Sequence, residues 1–250
     1  MKIVFLGTGS WFPQADRMGP SVLVTHEETT LLVDCGEGSV RRLMAAGVDP
    51  ASVDAVLFTH THPDHLAGLL PFLFFLRVQS QRKSPLLIAG PPDILGIIDG
   101  LAAMGDPELF EKGPPIERRA FMPPAIFKVG PFTVTSLKVE HREISVGYRI
   151  EAGGSTVALS GDSGPCEELV SLARDAGLFI CEAGTPSSFA GHMTPEEAGA
   201  IGHKAGAKKM CLVHLPPASD PIEFANRCAG EFGGPVNVPG DLQIGDSHLF

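Results

Sequence analysis

Apolar positions along the chain follow two rhythms, one of strands and one of helices. "KIVFLG", "SVLVTH" and "TLLVDCG" are short apolar runs near the start, and the polar "EET" between the second and third predicts a hairpin. "EGSVRRLMAAG" has helical spacing and is stopped by Gly47. "VDAVLFT" is a nearly unbroken β-branched run, as expected of a strand buried on both faces. From Pro71 to Gly130 the pattern loosens into a strand-like "PLLIAGP", a helical "DILGIIDGLAAMG" and the proline-dense "KGPPIERRAFMPPAIFKVG". Residues 71–127 are therefore expected to form a rim or cap over a site, with "FMPPAIF" a candidate for its mouth. Regular alternation then resumes through "FTVTSLKVEH", "VGYRIEA", "STVALSGD", "PCEELVSLARDAG", "LFICEAG", "TPEEAGAIGHKAGA", "KKMCLVHL" and "DPIEFANRCAGEF". This reads as one α/β domain over 1–250. Its two similar sheet-and-helix halves, about 1–130 and 131–250, pack face to face.

Composition agrees with a large core: 44% of the 250 residues are hydrophobic, which excludes disorder. The most apolar stretch, "LAGLLPFLFFLRV", is interrupted by Pro71 and ends at Arg77, short of the roughly 20 residues of a membrane-spanning helix. It predicts a core or interface helix, with Phe72, Phe74 and Phe75 as core or homodimer contacts. "MKIVFLGTGSW" is too short in apolar residues for a signal peptide, and five scattered cysteines without a C-x-x-C pair suggest neither disulfides nor a thiolate zinc site. A reducing cytoplasm is the expected location. A net charge of −10 and a pI near 5.3 argue against broad capture of nucleic acid, although a buried cationic centre would make one cleft positive.

Candidate chemistry lies where strands stop. Five apolar runs each lead into a residue with metal or acid-base capability: "AVLFT" into His60, "VTSLKVE" into His141, "TVALSG" into Asp162, "LFIC" into Glu182, and "KMCLV" into His214. Carboxyl ends of strands form the floor of ligand crevices in packed α/β sheets, so the five can converge. "HTHPDH" adds His62, Asp64 and His65 in a chain with only nine histidines. His60 and His62, two apart in extended chain, point the same way and can share a cation. Asp64 and His65 follow a turn and face a neighbouring point. Seven candidate ligands are too many for one ion and suit two, about 3.5–4 Å apart and bridged by a carboxylate, for which Asp162 is the natural choice. Two divalent ions are expected, zinc first, although manganese and iron suit the same donors.

These residues, in this order, resemble the signature of the metallo-β-lactamase superfamily over nearly the whole chain. "GTGS" and "DCGEG" also fit its phosphodiesterase-like branch. The resemblance implies an αββα sandwich with the site at one edge. It places His60, His62 and His141 on one metal and Asp64, His65 and His214 on the other, with Asp162 bridging. "EAGTPSSFAGHMTPEEAG" is similar to the ribonuclease Z group, in which a histidine is paired with an upstream glutamate, here His192 and Glu182. A carboxylate beside an imidazole favours the proton-donating form. Thr194 to Glu197 has the form of a capping box that would fix His192 just outside a helix.

The implied activity is that of a di-metal phosphodiesterase. A metal-bridging hydroxide attacks, Asp64 orients it, and His192, braced by Glu182, protonates the departing oxygen. Two departures from ribonuclease Z favour a small phosphodiester or short oligonucleotide over transfer RNA. About twenty residues separate His141 from Asp162, enough for a hairpin but not for the group's basic arm, and "LPPASDP" after His214 lacks the usual serine and arginine-tyrosine pattern. Transfer-RNA 3′ processing, hydrolysis of a lactone, thioester or lactam, and a non-catalytic metal-binding role stay open.

Overall fold

Alternate residues of each strand point into different layers, and four layers result. The computed structural model describes residues 1–80, 82–104 and 112–246. Strands β1 (Lys2–Gly7), β2 (Ser21–His26), β3 (Thr29–Val33), β4 (Ala55–Leu57), β5 (Leu86–Gly90) and β6 (Ile116–Ala120) build the first sheet. Helices α1 (Ser39–Ala45), α2 (Pro63–Leu66), α3 (Leu69–Val78) and α4 (Asp93–Ala103) lie in its connections. The second sheet comprises β7 (Ala125–Val129), β8 (Phe132–Lys138), β9 (Val146–Ala152), β10 (Ser155–Leu159), β11 (Leu178–Glu182), β12 (Met210–Val213) and β13 (Val236–Asn237). Its helices are α5 (Glu167–Ala173), α6 (Pro195–Ala205) and α7 (Pro221–Phe232), and β14 (Ile244–Asp246) returns to pair with β1.

Ile3 and Phe5 of β1 face the second sheet, meeting Phe132, Val134, Tyr148 and Ile150 in the central core. Val4 and Leu6 turn the other way and pack with Leu43, Phe72, Leu76 and Ile94 of the outer helices. The second sheet repeats this pattern, with Phe179, Cys181 and Leu212 facing Leu169, Ile201 and Phe224. Tyr148, fully buried, reaches across and donates to the Phe58 carbonyl at 2.5 Å. Four of the five cysteines are buried, and none is in a disulfide.

Strand direction places the site. β3, β4 and β5 are parallel, and β1 shares their direction because it is antiparallel to β2, which is antiparallel to β3. In the other sheet β10, β11 and β12 are parallel, and β8 shares their direction through β9. The carboxyl ends of both groups gather at one edge, where Val146 N–H donates to Thr59 O at 2.9 Å and Leu215 N–H to Thr8 O at 3.2 Å across the sheets. The β9–β10 connection is a two-residue turn at the opposite edge, with Gly153 and Gly154 at φ 55° and 74°.

Two expectations need correction. The halves do not divide at 130: β7 already belongs to the second sheet through its hairpin with β8, and β14 crosses back to the first. Nor do the described residues of 71–127 form a separate cap, since they supply α3, α4 and the strands β5, β6 and β7. Phe121 and Phe127 pack against the central core rather than lining a mouth. Of the aromatic trio on α3, Phe72 is buried, Phe75 half-buried and Phe74 exposed.

Candidate metal centre

After β4 the chain runs extended as far as His62, whose φ of −69° and ψ of 148° are strand-like, and Pro63 then opens α2. The extended stretch puts His60 and His62 on one side, as their spacing predicts, with His60 Nε2 3.0 Å from His62 Nδ1. His141, on the loop after β8, brings its Nε2 to 3.0 Å from the same His62 nitrogen. Asp162, after β10, faces this trio with Oδ2 at 3.7 Å from His60 and 3.8 Å from His141. The turn into α2 places Asp64 and His65 beside His214, which follows β12. Asp64 Oδ2 lies 3.5 Å from His65 Nε2 and 3.4 Å from His214 Nε2. Asp162 reaches this second group as well, Oδ1 at 3.1 Å from His65 and Oδ2 at 3.3 Å from His214. All seven expected ligands therefore fall into two four-residue sets that share Asp162.

The donor atoms suit divalent cations. His141 Nδ1 is engaged by the Gly191 carbonyl at 2.9 Å and His60 Nδ1 by Thr59 Oγ1 at 3.1 Å, so the lone pairs of both Nε2 atoms point at His62. Tetrahedral zinc with bonds of about 2.0–2.1 Å would need ligand nitrogens about 3.3 Å apart, close to what is seen. His65 Nδ1 donates to Asp34, which leaves His65 Nε2 buried without a hydrogen-bond partner between two carboxylates. Electrostatics separate the sets. Burial lowers the pKa of His60 and His62 below the histidine norm, and that of His141 to about 4. Burial also opposes charge on His65, but Asp162 and Asp34 outweigh it and hold the imidazole well above its ordinary value. His214 is raised likewise against burial, chiefly by Asp162 and the Asp64 hydrogen bond. Asp162 is held well below the usual carboxylate range by His214 and His65, again against burial.

Glu182 ends β11 and is almost wholly buried. Its Oε1 accepts Ser163 N–H at 2.7 Å and His192 Nδ1 at 3.0 Å, and its Oε2 accepts Gly184 N–H at 2.8 Å. Burial raises its pKa despite the His192 hydrogen bond. His192 stacks on His214, with centroids 5.6 Å apart and planes 8° from parallel, and lies 4.8 Å from His141. The expected cap is formed: Thr194 Oγ1 accepts Glu197 N–H at 3.2 Å and Glu197 accepts Thr194 N–H at 2.8 Å.

Sequence reasoning missed several residues that shape the site. Asp34, after β3, takes Thr59 N–H on Oδ1 at 2.8 Å, and Thr59 Oγ1 and His65 Nδ1 on Oδ2 at 2.9 and 2.8 Å. It thus orients His65 directly and His60 through Thr59, the carboxylate–histidine arrangement that tunes metal ligands. Asp34 and His214 both hold left-handed backbone, at φ 57° and 61°, costly conformations for residues with a Cβ. "TLLVD" carries the strand-then-acid signal already recognised in "TVALSGD" and could have revealed Asp34. Gly184 has no such signal: a Cβ there would stand 2.7 Å from Glu182 Oε2 and 2.8 Å from His214 Nδ1. Trp11, on the loop after β1, lies 4.7 Å from His192 and 5.4 Å from His214 by ring centroid.

A four-layered sandwich with two His/Asp sets at one edge defines a class of metal-dependent hydrolases. Residues 29–215 match the family model described as beta-lactamase superfamily domain. The chain belongs to the metallo-β-lactamase superfamily, in its ribonuclease Z and phosphodiesterase branch. It is 32% identical to a ribonuclease Z of Mycobacterium bovis, with 99% of each chain covered. The metallo-β-lactamase fold protein YhfI from Bacillus subtilis superimposes with a TM-score of 0.84 at 30% identity, covering 98% of both chains. The short form of human tRNase Z gives 0.82 at 24% identity over 98% of both and shares the fold. As expected of such a hydrolase, the site is rich in His and Asp donors, and the fold implies divalent metal ions.

Proposed function

We propose that the chain is a phosphodiesterase acting on a small phosphodiester or short oligonucleotide. It would use two divalent ions, zinc first, with His60, His62 and His141 holding one, Asp64, His65 and His214 the other, and Asp162 bridging. One observation carries the reading: His192, its Nδ1 committed to buried Glu182, stands between His141 and His214, so its Nε2 is free to hold a proton beside both ligand sets. Cations bound there would supply Lewis acidity and a water with a pKa of about 7. Asp64 orients the attacking water. Glu182 holds His192 by its Nδ1 and fixes the ring, and His192 Nε2 gives its proton to the departing alkoxide. A phosphodiester needs such a donor because an unprotonated alkoxide leaves poorly, and general acids contribute typically 10²–10⁴-fold.

Transfer-RNA 3′ processing is the second reading, supported equally by end-to-end similarity to a ribonuclease Z. The two-residue β9–β10 turn and the charge of −10 favour the smaller substrate. The proposal treats 1–250 as one functional unit, because one core joins both sheets. It includes a homodimer through α1 and α3, where Met44, Phe74 and Val78 are exposed. It also includes a cytoplasmic location, consistent with unpaired cysteines. Among the described residues no helix is long and apolar enough to cross a membrane.

The test is a metal-reconstituted panel of bis-aryl phosphate, cyclic nucleotides, a transfer-RNA precursor and a lactone, with His192→Ala and Asp64→Ala alongside. Diesterase activity is expected to fall at least about 100-fold in both variants. Lactone or thioester turnover that dominates and survives His192→Ala would overturn the reading. Preferential cleavage of the precursor would select the second one.

A further inference from the structure

Trp11 is the only tryptophan in the chain, and it is spent at the mouth of the site rather than in the core. It is 36% exposed, beside Phe12 at 52%, with ring centroids 5.5 Å apart. Phe189, 60% exposed, also lies beside His192, with its centroid 5.9 Å from the imidazole. Large apolar rings in water are unfavourable, and two beside one polar residue, with Phe12 against the first, call for an occupant.

The loop that carries Trp11 is held at both ends. Thr8 N–H and Oγ1 both donate to Asp241 Oδ1, at 3.0 and 2.8 Å, and Met18 N–H donates to Asp241 Oδ2 at 2.8 Å. Gln14 Nε2 reaches the Leu215 carbonyl at 2.8 Å, tying the loop to the chain beside His214. Trp11 and Phe12 also line a cleft of about 290 Å³ together with Pro63, Asp64 and Ala67. Ser10 Oγ, buried and without a hydrogen-bond partner, lies on the same cleft.

We propose that Trp11 and Phe189 form a stacking subsite for the base of a nucleoside leaving group. The inference rests on the phosphodiesterase reading above and names its substrate class. The argument is one of position: the group that His192 protonates is the one that departs, so whatever is attached to that oxygen lies against the rings flanking His192. Outside the proposed metal centre a chain of charge −10 gains little from long-range attraction to phosphates, so preference for a nucleoside over another alcohol is left to the π-face of its base. In the reaction the water oxygen bonds to phosphorus, the P–O bond to the nucleoside breaks with its electron pair, and the nucleoside oxygen takes the proton from His192 Nε2. Of the water's two protons, one replaces, by way of solvent, the proton that His192 gave up and the other is released to solvent, and the phosphate stays with the other product.

Because Trp11 is the sole tryptophan, its fluorescence reports the subsite without turnover. Adenosine is expected to quench it saturably and ribose 5-phosphate is not, with Phe189→Ala weakening the adenosine response. Equal quenching by a long-chain alkyl phosphate, or none by adenosine, overturns the proposal. Kinetics supply the second arm, on a dinucleoside monophosphate and the matching nucleoside methyl phosphate. Trp11→Ala should raise KM for the dinucleotide roughly 5- to 100-fold with kcat within about 3-fold, collapsing the preference over the methyl ester, and Trp11→Phe should restore most of it. A kcat loss shared by both esters would instead mark a structural role and overturn the subsite. If the wild type hydrolyses neither ester, the phosphodiesterase reading fails, and the quenching arm alone then decides whether the rings bind a base.

Discussion

Asp34 acts on two histidines at once. Its Oδ2 receives the Nδ1 proton of His65 and the hydroxyl of Thr59, and that hydroxyl in turn faces His60 Nδ1. Asp34→Asn keeps the shape but sets an amide NH₂ against these donors, so His65 must turn or change tautomer. Metal affinity, read by chelator competition, is expected to drop roughly 10- to 100-fold. Gly184→Ala should lower activity without unfolding the chain, because the new methyl would press on the site residues Glu182, His214 and His192, as circular dichroism beside turnover would establish. The two ligand sets also differ in protonation. His65 and His214 are held above the ordinary histidine value, so a cation competes with protons there and its affinity rises with pH. His60, His62 and His141 are held below it and are already neutral. Calorimetric titration in buffers of different ionisation enthalpy should therefore find proton release with one equivalent of metal and little with the other. Equal release for both would contradict this assignment.

At the scale of elements, α6 is the part that aims the proposed acid. Its capping box satisfies the first amides of the helix and fixes the chain two residues after His192. Thr194→Ala is expected to cost about 1 kcal/mol in urea unfolding. Much of this arrangement was legible beforehand, because strands ending in chemistry and helices ending in glycine leave period and punctuation together. Five strand ends, the cap and the short hairpin between His141 and Asp162 are legible in this way. Asp34 escaped because "DCGEG" was read as a motif rather than as a strand end. β6, "IERRA", escaped because an edge strand pairs on one side only and shows its polar residues to water, while the prolines around it suggested a rim. β13 and β14, two and three residues long, are too short for any period to emerge. His248 lies outside the described residues, and Trp11 stands in an aperiodic loop whose importance only the fold reveals.

Across the whole molecule, the ligand sets do what neither sheet does alone. His60, His62, Asp64 and His65 leave the first sheet, while His141, Asp162 and His214 leave the second, and each set draws on both. A cation bound to either set therefore links the sheets at the edge where few other bonds cross. An unfolded chain offers no such cage, so binding stabilises the folded state by about 4 kcal/mol at a free metal concentration 1,000 times Kd. For a domain of this size that corresponds to roughly 8–16 °C in Tm. Stripping the protein with a chelator should lower Tm by such an amount, and zinc should restore it in a concentration-dependent way. The loss should also be directional. Val146 N–H and Leu215 N–H, which bond across the sheets beside the ligands, should exchange with solvent much faster after stripping. Ile180 N–H and its neighbours within the second sheet should change little, because the central core is independent of the site. Uniform acceleration across both sheets would mean that metal governs folding as a whole. No change at Val146 and Leu215 would mean that the cations do not staple the two sheets, and the shared role of Asp162 would have to be abandoned.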